Sequence, residues 1–167
     1  DVEPINVELR RRQGGYGRGG RQRIETDAVN VLTGVWKGVT LGSPIVLEVP
    51  NRDYKLERLE ELPRPRPGHA DLTGALKFLG SIRGVLERAS ARETAVRVAA
   101  GALAKQLLAE FGISAFGYVV ELGGERIEPV DASLDRLRSI RDQSEIYALN
   151  LARDEAVKQH IDAAGKD

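Results

Sequence analysis

The sequence predicts an α+β fold, in which a mostly antiparallel sheet packs on one long helix. Apolar and polar residues alternate within residues 23–36, and a second run rich in β-formers covers 44–49. Such runs predict a pair of half-buried strands. Within residues 85–111, apolar residues recur at spacings of three and four, which is the period of one helix face. A chain of 167 residues is most simply one domain, so we expect a single domain over 1–167.

The chain opens with a predicted helix and a loop. Residues 1–12 place Ile5 and Leu9 four apart among charged residues, which indicates a short helix. Residues 14–20 contain four glycines before Gly20, so this stretch is predicted to be a loop.

The predicted strands follow this loop. Val29, Val31 and Thr33 carry the alternation of the first strand. A turn at Lys37–Gly38 leads toward its antiparallel partner at 44–49. Residues 50–67 are charged and rich in proline, as a linker is.

The second half of the chain is dominated by the helix predicted over 85–111. Its apolar stripe consists of Val96, Ala100, Leu103, Leu107 and Phe111, widened by Ala95, Val98, Ala99 and Ala102. Gly112 is a natural C-cap. Alternation over 116–122 predicts a further strand, ended by Gly123–Gly124. Charged amphipathic helices are expected at 133–141 and 153–164, so that 125–167 forms a peripheral helical segment.

Composition narrows the possible functions. Lysine plus arginine and aspartate plus glutamate balance at 25 each, so no global field favours nucleic acid or membrane. The absence of cysteine excludes disulfides and thiolate metal sites, and with only two histidines we expect no metal. No apolar run approaches membrane-spanning length, so we expect a soluble cytoplasmic protein.

A glycine–arginine loop is the first candidate binding segment. Every charged residue from Arg10 to Arg23 is an arginine. Glycine allows a close approach of the backbone to a ligand, and Arg18 and Arg21 can clamp a phosphate or carboxylate in bidentate fashion. Two alternatives remain open: a solvated loop, or an RNA contact made by the same basic stretch.

A histidine in a proline-framed turn is the candidate acid–base group. Pro67 and Gly68 precede His69, and Asp71 lies near enough in sequence to orient the imidazole. The alternative is a structural or merely exposed histidine.

The third candidate is the head of the long helix. Ser90 and Glu93 fit a capping box, and helix heads bind anions through free backbone N–H groups. Arg88 and Arg92 flank this position, although both are equally compatible with an ordinary helix surface.

Four long strings in this order resemble the chorismate synthase family. They are RRQGGYGRGGR (11–21), GVTLGSPIVLEVPNRD (38–53), RPRPGHADLTGALKF (64–78) and VLERASARETAVRVAAGALAKQLL (85–108). The resemblance implies a β-α-β sandwich, a homotetramer, and the 1,4-elimination of phosphate from enolpyruvylshikimate phosphate to give chorismate. That reaction belongs to aromatic amino-acid biosynthesis and depends on reduced FMN, without a net redox change.

The resemblance also implies roles for individual residues. His69 matches the histidine thought to handle a flavin proton, and Arg88, Ala89 and Ser90 match a tripeptide that contacts FMN. The positions implied for substrate binding are Arg12, Arg18, Arg21, Arg66 and Arg92. Arg12 and Arg18 also match a suggested NADP contact in members that reduce their own flavin with NADPH.

The 167 residues depart from the family pattern in extent. They lack the string that carries the family's first histidine and the half that carries further flavin contacts. We therefore expect no turnover from this chain alone. The alternative function is a non-catalytic anion-binding or RNA-binding module that uses residues 10–23.

Overall fold

The computed structural model describes residues 1–17, 26–51, 59–89 and 91–165. The helices are α1 (Glu3–Gln13), α2 (Asp71–Phe78), α3 (Ile82–Glu87), α4 (Ala91–Ala109), α5 (Leu134–Gln143) and α6 (Asp154–Ala164). The strands are β1 (Asn30–Thr33), β2 (Val35–Trp36), β3 (Val39–Thr40), β4 (Val46–Glu48), β5 (Glu121–Leu122) and β6 (Glu125–Arg126). The prediction of an α+β class is confirmed.

The described residues group into two compact units. The first contains Asp1–Leu9 and Asp27–Gln106, and the second contains Arg10–Thr26 and Leu107–Asp167. The expectation of a single domain over 1–167 stays a prediction.

The first unit is built on the predicted antiparallel strand pair. Strand β1 pairs antiparallel with β4, with Asn30 opposite Glu48 and an irregularity between Val31 and Thr33. The adjoining hairpin β2–β3 turns at Lys37 and Gly38, whose φ angles of 47° and 79° are both positive, as a tight two-residue turn requires. The predicted turn and pairing are therefore confirmed.

The core of this unit contains residues from both its N-terminal and its C-terminal parts. Its buried members are Ile5, Leu9, Val29, Ala99 and Ala102, bordered by Leu47, Val49, Val98 and Leu103. The N-terminal helix and α4 thus share one apolar core with the β1–β4 pair. Asn6 adds a polar contact, because its side-chain oxygen accepts a 2.9 Å hydrogen bond from the backbone N–H of Val29.

The prediction of one continuous helix over 85–111 is wrong at its N-terminal end. Helix α3 ends at Glu87, and α4 begins at Ala91. The amides of Arg88 and Ala89 donate to carbonyls only three residues earlier, which tightens the last turn of α3 and ends it. The break leaves Arg88 and Ala89 between two separate helices.

The predicted apolar stripe of this helix is wrong along its central line but right at its edge. Val96, Leu107 and Phe111 are 43%, 64% and 72% exposed, whereas Ala95, Ala99 and Ala102, which were predicted to widen the stripe, are buried. On this face Ala99 and Ala102 pack in the core with Ile5 and Leu9. An apolar groove of about 420 Å³ remains open in the first unit, lined mainly by Ile45, Leu47, Val49, Val96, Ala100 and Leu103. No helix in the described ranges is long and apolar enough to cross a membrane.

The second unit packs two helices and short strands around a separate core. Its buried residues are Ile127, Ile146, Ala148 and Val157, bordered by Val119 and Ile161. Helices α5 and α6 confirm the predictions at 133–141 and 153–164. The side chain of Ser133 caps α5 by accepting from the amide of Arg136.

The strand predicted over 116–122 is wrong for most of its length. Within that stretch the structure describes a regular strand only at Glu121–Leu122, which pairs with Glu125–Arg126 through a turn at Gly123–Gly124. Val119 forms a single bridge to Ala148. A longer strand needs a neighbouring strand with which to form hydrogen bonds, and the alternation of apolar and polar residues does not show whether one is present.

Candidate functional site

The segment that carries His69 is closed by an ion pair between Arg66 and Asp71. Asp71 is only 1% exposed. Its Oδ2 accepts from the backbone N of Arg66 at 3.0 Å and from Nε at 2.9 Å, and its Oδ1 accepts from Nη2 at 3.1 Å. The bidentate pair and the backbone bond together close a ring of six residues, with His69 inside it.

This pairing fixes the charge state of Asp71. The hydrogen bonds from Arg66 lower the pKa of Asp71 to about 2, and the same pairing raises the pKa of Arg66. The carboxylate is therefore ionised at any pH near neutrality. Gly68 completes the turn with a φ of +70°, a conformation that suits glycine.

The imidazole of His69 is exposed at this turn. Its Nδ1 lies 3.4 Å from the carbonyl oxygen of Pro67, a long contact. Sequence reasoning expected Asp71 to orient His69, whereas the described hydrogen bonds of the Asp71 carboxylate go to Arg66. The imidazole is therefore accessible to a ligand on a turn whose backbone is fixed.

Arg88 and Ala89 lie between α3 and α4. The guanidinium of Arg88 is exposed and stacks on the ring of Phe78, 4.4 Å from its centroid. Helices α2 and α3 are in close contact, because a Cβ placed on Gly74 would lie 2.3 Å from Val85 Cγ1. Arg88 thus presents a cation in a preferred orientation. Such a cation can bind a phosphate group or stack on an aromatic ring of a ligand.

Arg92 lies in the first turn of α4 and is half-buried. One residue on, Glu93 accepts a 2.9 Å hydrogen bond from Nε of Arg97, across one turn of the helix. Ser90, Arg18 and Arg21 lie outside the described residues. The predicted anion clamp of Arg18 and Arg21 and the predicted capping box at Ser90 therefore stay predictions.

Arg12 lies in the last turn of α1 and is half-buried. The chain then turns through Gly14 and Gly15 into Tyr16. The amide of Tyr16 donates to the carbonyl of Glu145 at 2.7 Å, and its hydroxyl donates to Asp162 Oδ1 at 2.7 Å. The beginning of the glycine–arginine loop is therefore held by residues from the C-terminal part of the chain.

The partners that hold this segment are not marked in the sequence. Glu145 and Asp162 are separated from Tyr16 by more than a hundred residues, and neither belongs to a motif that marks a binding site. No signal within the single sequence could have paired them. By contrast, the Arg66–Asp71 pair spans five positions and lies inside a string that sequence reasoning singled out.

The fold and site together define an α+β protein with an exposed imidazole and several arginines on short turns and helix ends. Over its whole length, residues 1–167, the chain matches the family model described as chorismate synthase. The chain belongs to the chorismate synthase family.

Individual relatives give the same result. The chain is 44% identical to the chorismate synthase of Streptococcus mutans, over 98% of this chain and 46% of the relative. It is 48% identical to that of Geobacillus thermodenitrificans, over 99% of this chain and 47% of the relative. A crystal structure of chorismate synthase matches all of this chain and 46% of its own, with a TM-score of 0.76 and 36% identity. The chain thus spans about half the length of the relatives that it matches.

Proposed function

We propose that this chain contributes to chorismate synthase activity, the 1,4-elimination of phosphate from enolpyruvylshikimate phosphate that depends on reduced FMN. The observation that carries the proposal is the match of residues 1–167 to the family from end to end. The relatives of similar sequence are named chorismate synthases, and the chain covers about half of each. The whole reaction therefore belongs to a polypeptide of family length that contains these residues.

The described side chains fit the chemistry of this reaction. A 1,4-elimination breaks a carbon–oxygen bond to phosphate and a carbon–hydrogen bond, so the site must bind anions and handle a proton. Arg12, Arg66 and Arg92, with Arg18 and Arg21, are the proposed anion-binding residues. Among them Arg66 is ion-paired with Asp71, so only its N–H groups that are not used in that pair are available to a substrate anion.

His69 is the proposed proton-handling group. It is exposed, it lies on a turn closed by Arg66 and Asp71, and imidazole is suited to proton transfer near neutral pH. Neither of the two buried cores includes it, so its removal should leave no cavity.

FMN is the proposed cofactor, and Arg88, Ala89 and Ser90 are its proposed contacts. The exposed guanidinium of Arg88 beside Phe78 fits a flavin phosphate or ring, because it offers both positive charge and a flat stacking face. Reduced FMN, when bound, supplies the flavin on which this elimination depends. We further propose that NADPH reduces the flavin and contacts Arg12 and Arg18. The proposed assembly is a homotetramer, and the proposed location is cytoplasmic.

The histidines provide a matched test, because the chain has only two. In a polypeptide of family length that carries these residues, His69→Ala should lower the rate of chorismate formation about 10²–10⁴-fold, the usual worth of general acid–base help. FMN should still bind, as measured by flavin fluorescence. His160→Ala removes an exposed imidazole from α6 and should leave the rate close to wild type.

Two outcomes would contradict the proposal. Equal rates for His69→Ala and wild type would reduce His69 to a structural loop residue. If the 167-residue chain bound RNA with a steep salt dependence but neither FMN nor enolpyruvylshikimate phosphate, the RNA-binding alternative would be favoured.

A further inference from the structure

Tyr147 has a backbone conformation that is rare for an aromatic residue. Its φ is +59°, in the left-handed region, where a side chain with a Cβ is strained. Such conformations persist only where surrounding contacts determine them, and they concentrate at functional positions. The contacts that hold Tyr147 in this conformation therefore point to a role for its turn.

A buried polar cluster holds this turn. Asp154 accepts from the hydroxyl of Ser144 and from the amide of Glu145, both at 3.0 Å. Ser144 Oγ in turn accepts from the amides of Ile146 and Ala148, on either side of Tyr147. Ser144 and Asp154 are 2% and 7% exposed, so these bonds lie away from competing water.

The hydroxyl of Tyr147 reaches the end of α1. It donates a 2.6 Å hydrogen bond to the carbonyl oxygen of Arg11, in the last turn of that helix. This carbonyl also accepts from the amide of Gly14 at 3.2 Å, so Tyr147 adds a second donor to the helix end from a distant part of the chain. The residue next to this carbonyl is Arg12, the first arginine of the proposed substrate set.

The ring of Tyr147 lies against the two glycines that follow α1. A Cβ on Gly14 would lie 2.8 Å from the Tyr147 hydroxyl oxygen, and one on Gly15 would lie 3.1 Å from the ring carbon Cε2. Gly15 also has a φ of +97°. These two glycines are therefore needed for contact with a protein side chain, whereas sequence reasoning assigned the glycines of this loop to close approach of a ligand.

We propose that Tyr147 is a positioning residue for Arg12, which it orients by capping the helix end and holding the turn at Gly14 and Gly15. The inference rests on the proposed function, since Arg12 is assigned to the substrate anion only there. It adds a residue from the C-terminal part of the chain to a site otherwise assigned to N-terminal motifs.

Tyr147→Phe tests this role, because it removes the donated hydrogen bond and keeps the ring. The matched control is Tyr118→Phe, which removes the hydroxyl of an exposed tyrosine in the same unit. Loss of one hydrogen bond to the helix end should weaken enolpyruvylshikimate phosphate binding to the 167-residue chain roughly three- to tenfold. FMN affinity should not change, because its proposed contacts belong to other segments. Amide exchange at Tyr16, bonded to Glu145, should accelerate by a similar factor.

The outcomes separate this inference from the function on which it rests. Unchanged exchange at Tyr16 in Tyr147→Phe would overturn the inference, whether or not the chain binds substrate. Faster exchange with unchanged substrate affinity would also overturn it, because the residue would then be only structural. Failure of the wild-type chain to bind substrate would overturn the proposed function for this chain, and the exchange rates would still decide whether Tyr147 holds the segment.

A double-mutant cycle with Arg12→Gln sharpens the result. If Tyr147 acts through Arg12, the loss from Tyr147→Phe should shrink once Arg12 is absent. Fully additive losses would show that the hydroxyl acts by another route and would overturn the inference.

Discussion

The His69 turn contains a proposed site residue and the Gly14–Tyr16 segment directly follows another, Arg12, but the two are held in opposite ways. The first is closed by Arg66 and Asp71, partners five residues apart. The second is held by Tyr147, whose hydrogen bond to Arg11 spans 136 positions. Both turns use a glycine with positive φ, so the difference lies in the source of the partners and not in the backbone.

This difference determines how each turn responds to change. A ring closed by neighbouring residues forms at a small cost in chain entropy and depends on few other contacts. A segment held from a distance forms only when the remote part of the chain has folded. Local substitutions should therefore disturb the first turn, and substitutions in the C-terminal region should disturb the second.

The largest expected effect is at the helix pair that supports the His69 turn. Gly74→Ala places a Cβ 2.3 Å from Val85 Cγ1, so α2 and α3 must move apart. Overpacking of this kind costs about 1–3 kcal/mol in the free energy of unfolding. Urea unfolding of the wild-type chain and of Gly74→Ala measures this difference in the free energy of unfolding.

The matched control is another helical glycine. Gly101 lies in α4, and a Cβ placed there meets no atom within 4 Å. Gly101→Ala should stabilise the chain by up to about 1 kcal/mol, the difference in helix propensity. If both substitutions stabilise, the α2–α3 contact is looser than the distances indicate.

The next effect concerns the ion pair that closes the His69 turn. The pKa of Asp71 in the folded chain is about 2, below its ordinary value of 3.8. The ionised Asp71 carboxylate therefore stabilises the folded state above about pH 4. This contribution to the free energy of unfolding is lost as the pH falls toward 2. Asp71→Asn should flatten the dependence of the unfolding free energy on pH in this window, with Asp131→Asn as the exposed control. An unchanged slope would mean that Arg66 and Asp71 do not pair in solution.

The smallest effect tests the distant support of Tyr16. Its hydrogen bond to Asp162 raises the pKa of the Tyr16 phenol above 10.0. The bond requires the protonated phenol, so its contribution is lost as the pH rises through that pKa. Asp162→Asn should lower the pKa, as followed by tyrosinate absorbance, with Tyr16→Phe to assign the signal among four tyrosines. Asp135→Asn, on the surface of α5, should leave the titration unchanged.

The sequence predicted those features that depend on nearby residues. Ile5 and Leu9 indicated α1, and Lys37–Gly38 indicated the hairpin turn; both are confirmed. The buried face of α4 was predicted only in part, because Ala99 of the predicted stripe is buried whereas the more apolar Val96 and Leu107 are exposed. Periodicity identifies a helix face, whereas its partner in the folded chain decides whether that face is buried.

The candidate site divides in the same way. His69 and its closing pair lie within one string, so their proximity could be read from spacing. The partners Tyr147, Glu145 and Asp162 could not, because a single sequence carries no record of contacts between distant residues. Arg18, Arg21 and Ser90 lie outside the described residues, and their roles stay predictions.

The alanines that form the buried face of α4 make its tolerance to substitution one-sided. Ala99 and Ala102 are 1% and 3% exposed and share a core with Ile5 and Leu9. Trimming either alanine to glycine removes a single methyl group, whereas a larger residue must displace the side chains packed in that core. A library of all substitutions at these two positions should therefore retain the small residues and lose the large ones, whatever their hydrophobicity. At this helix face, side-chain volume and not apolar character is the quantity that selection can act on.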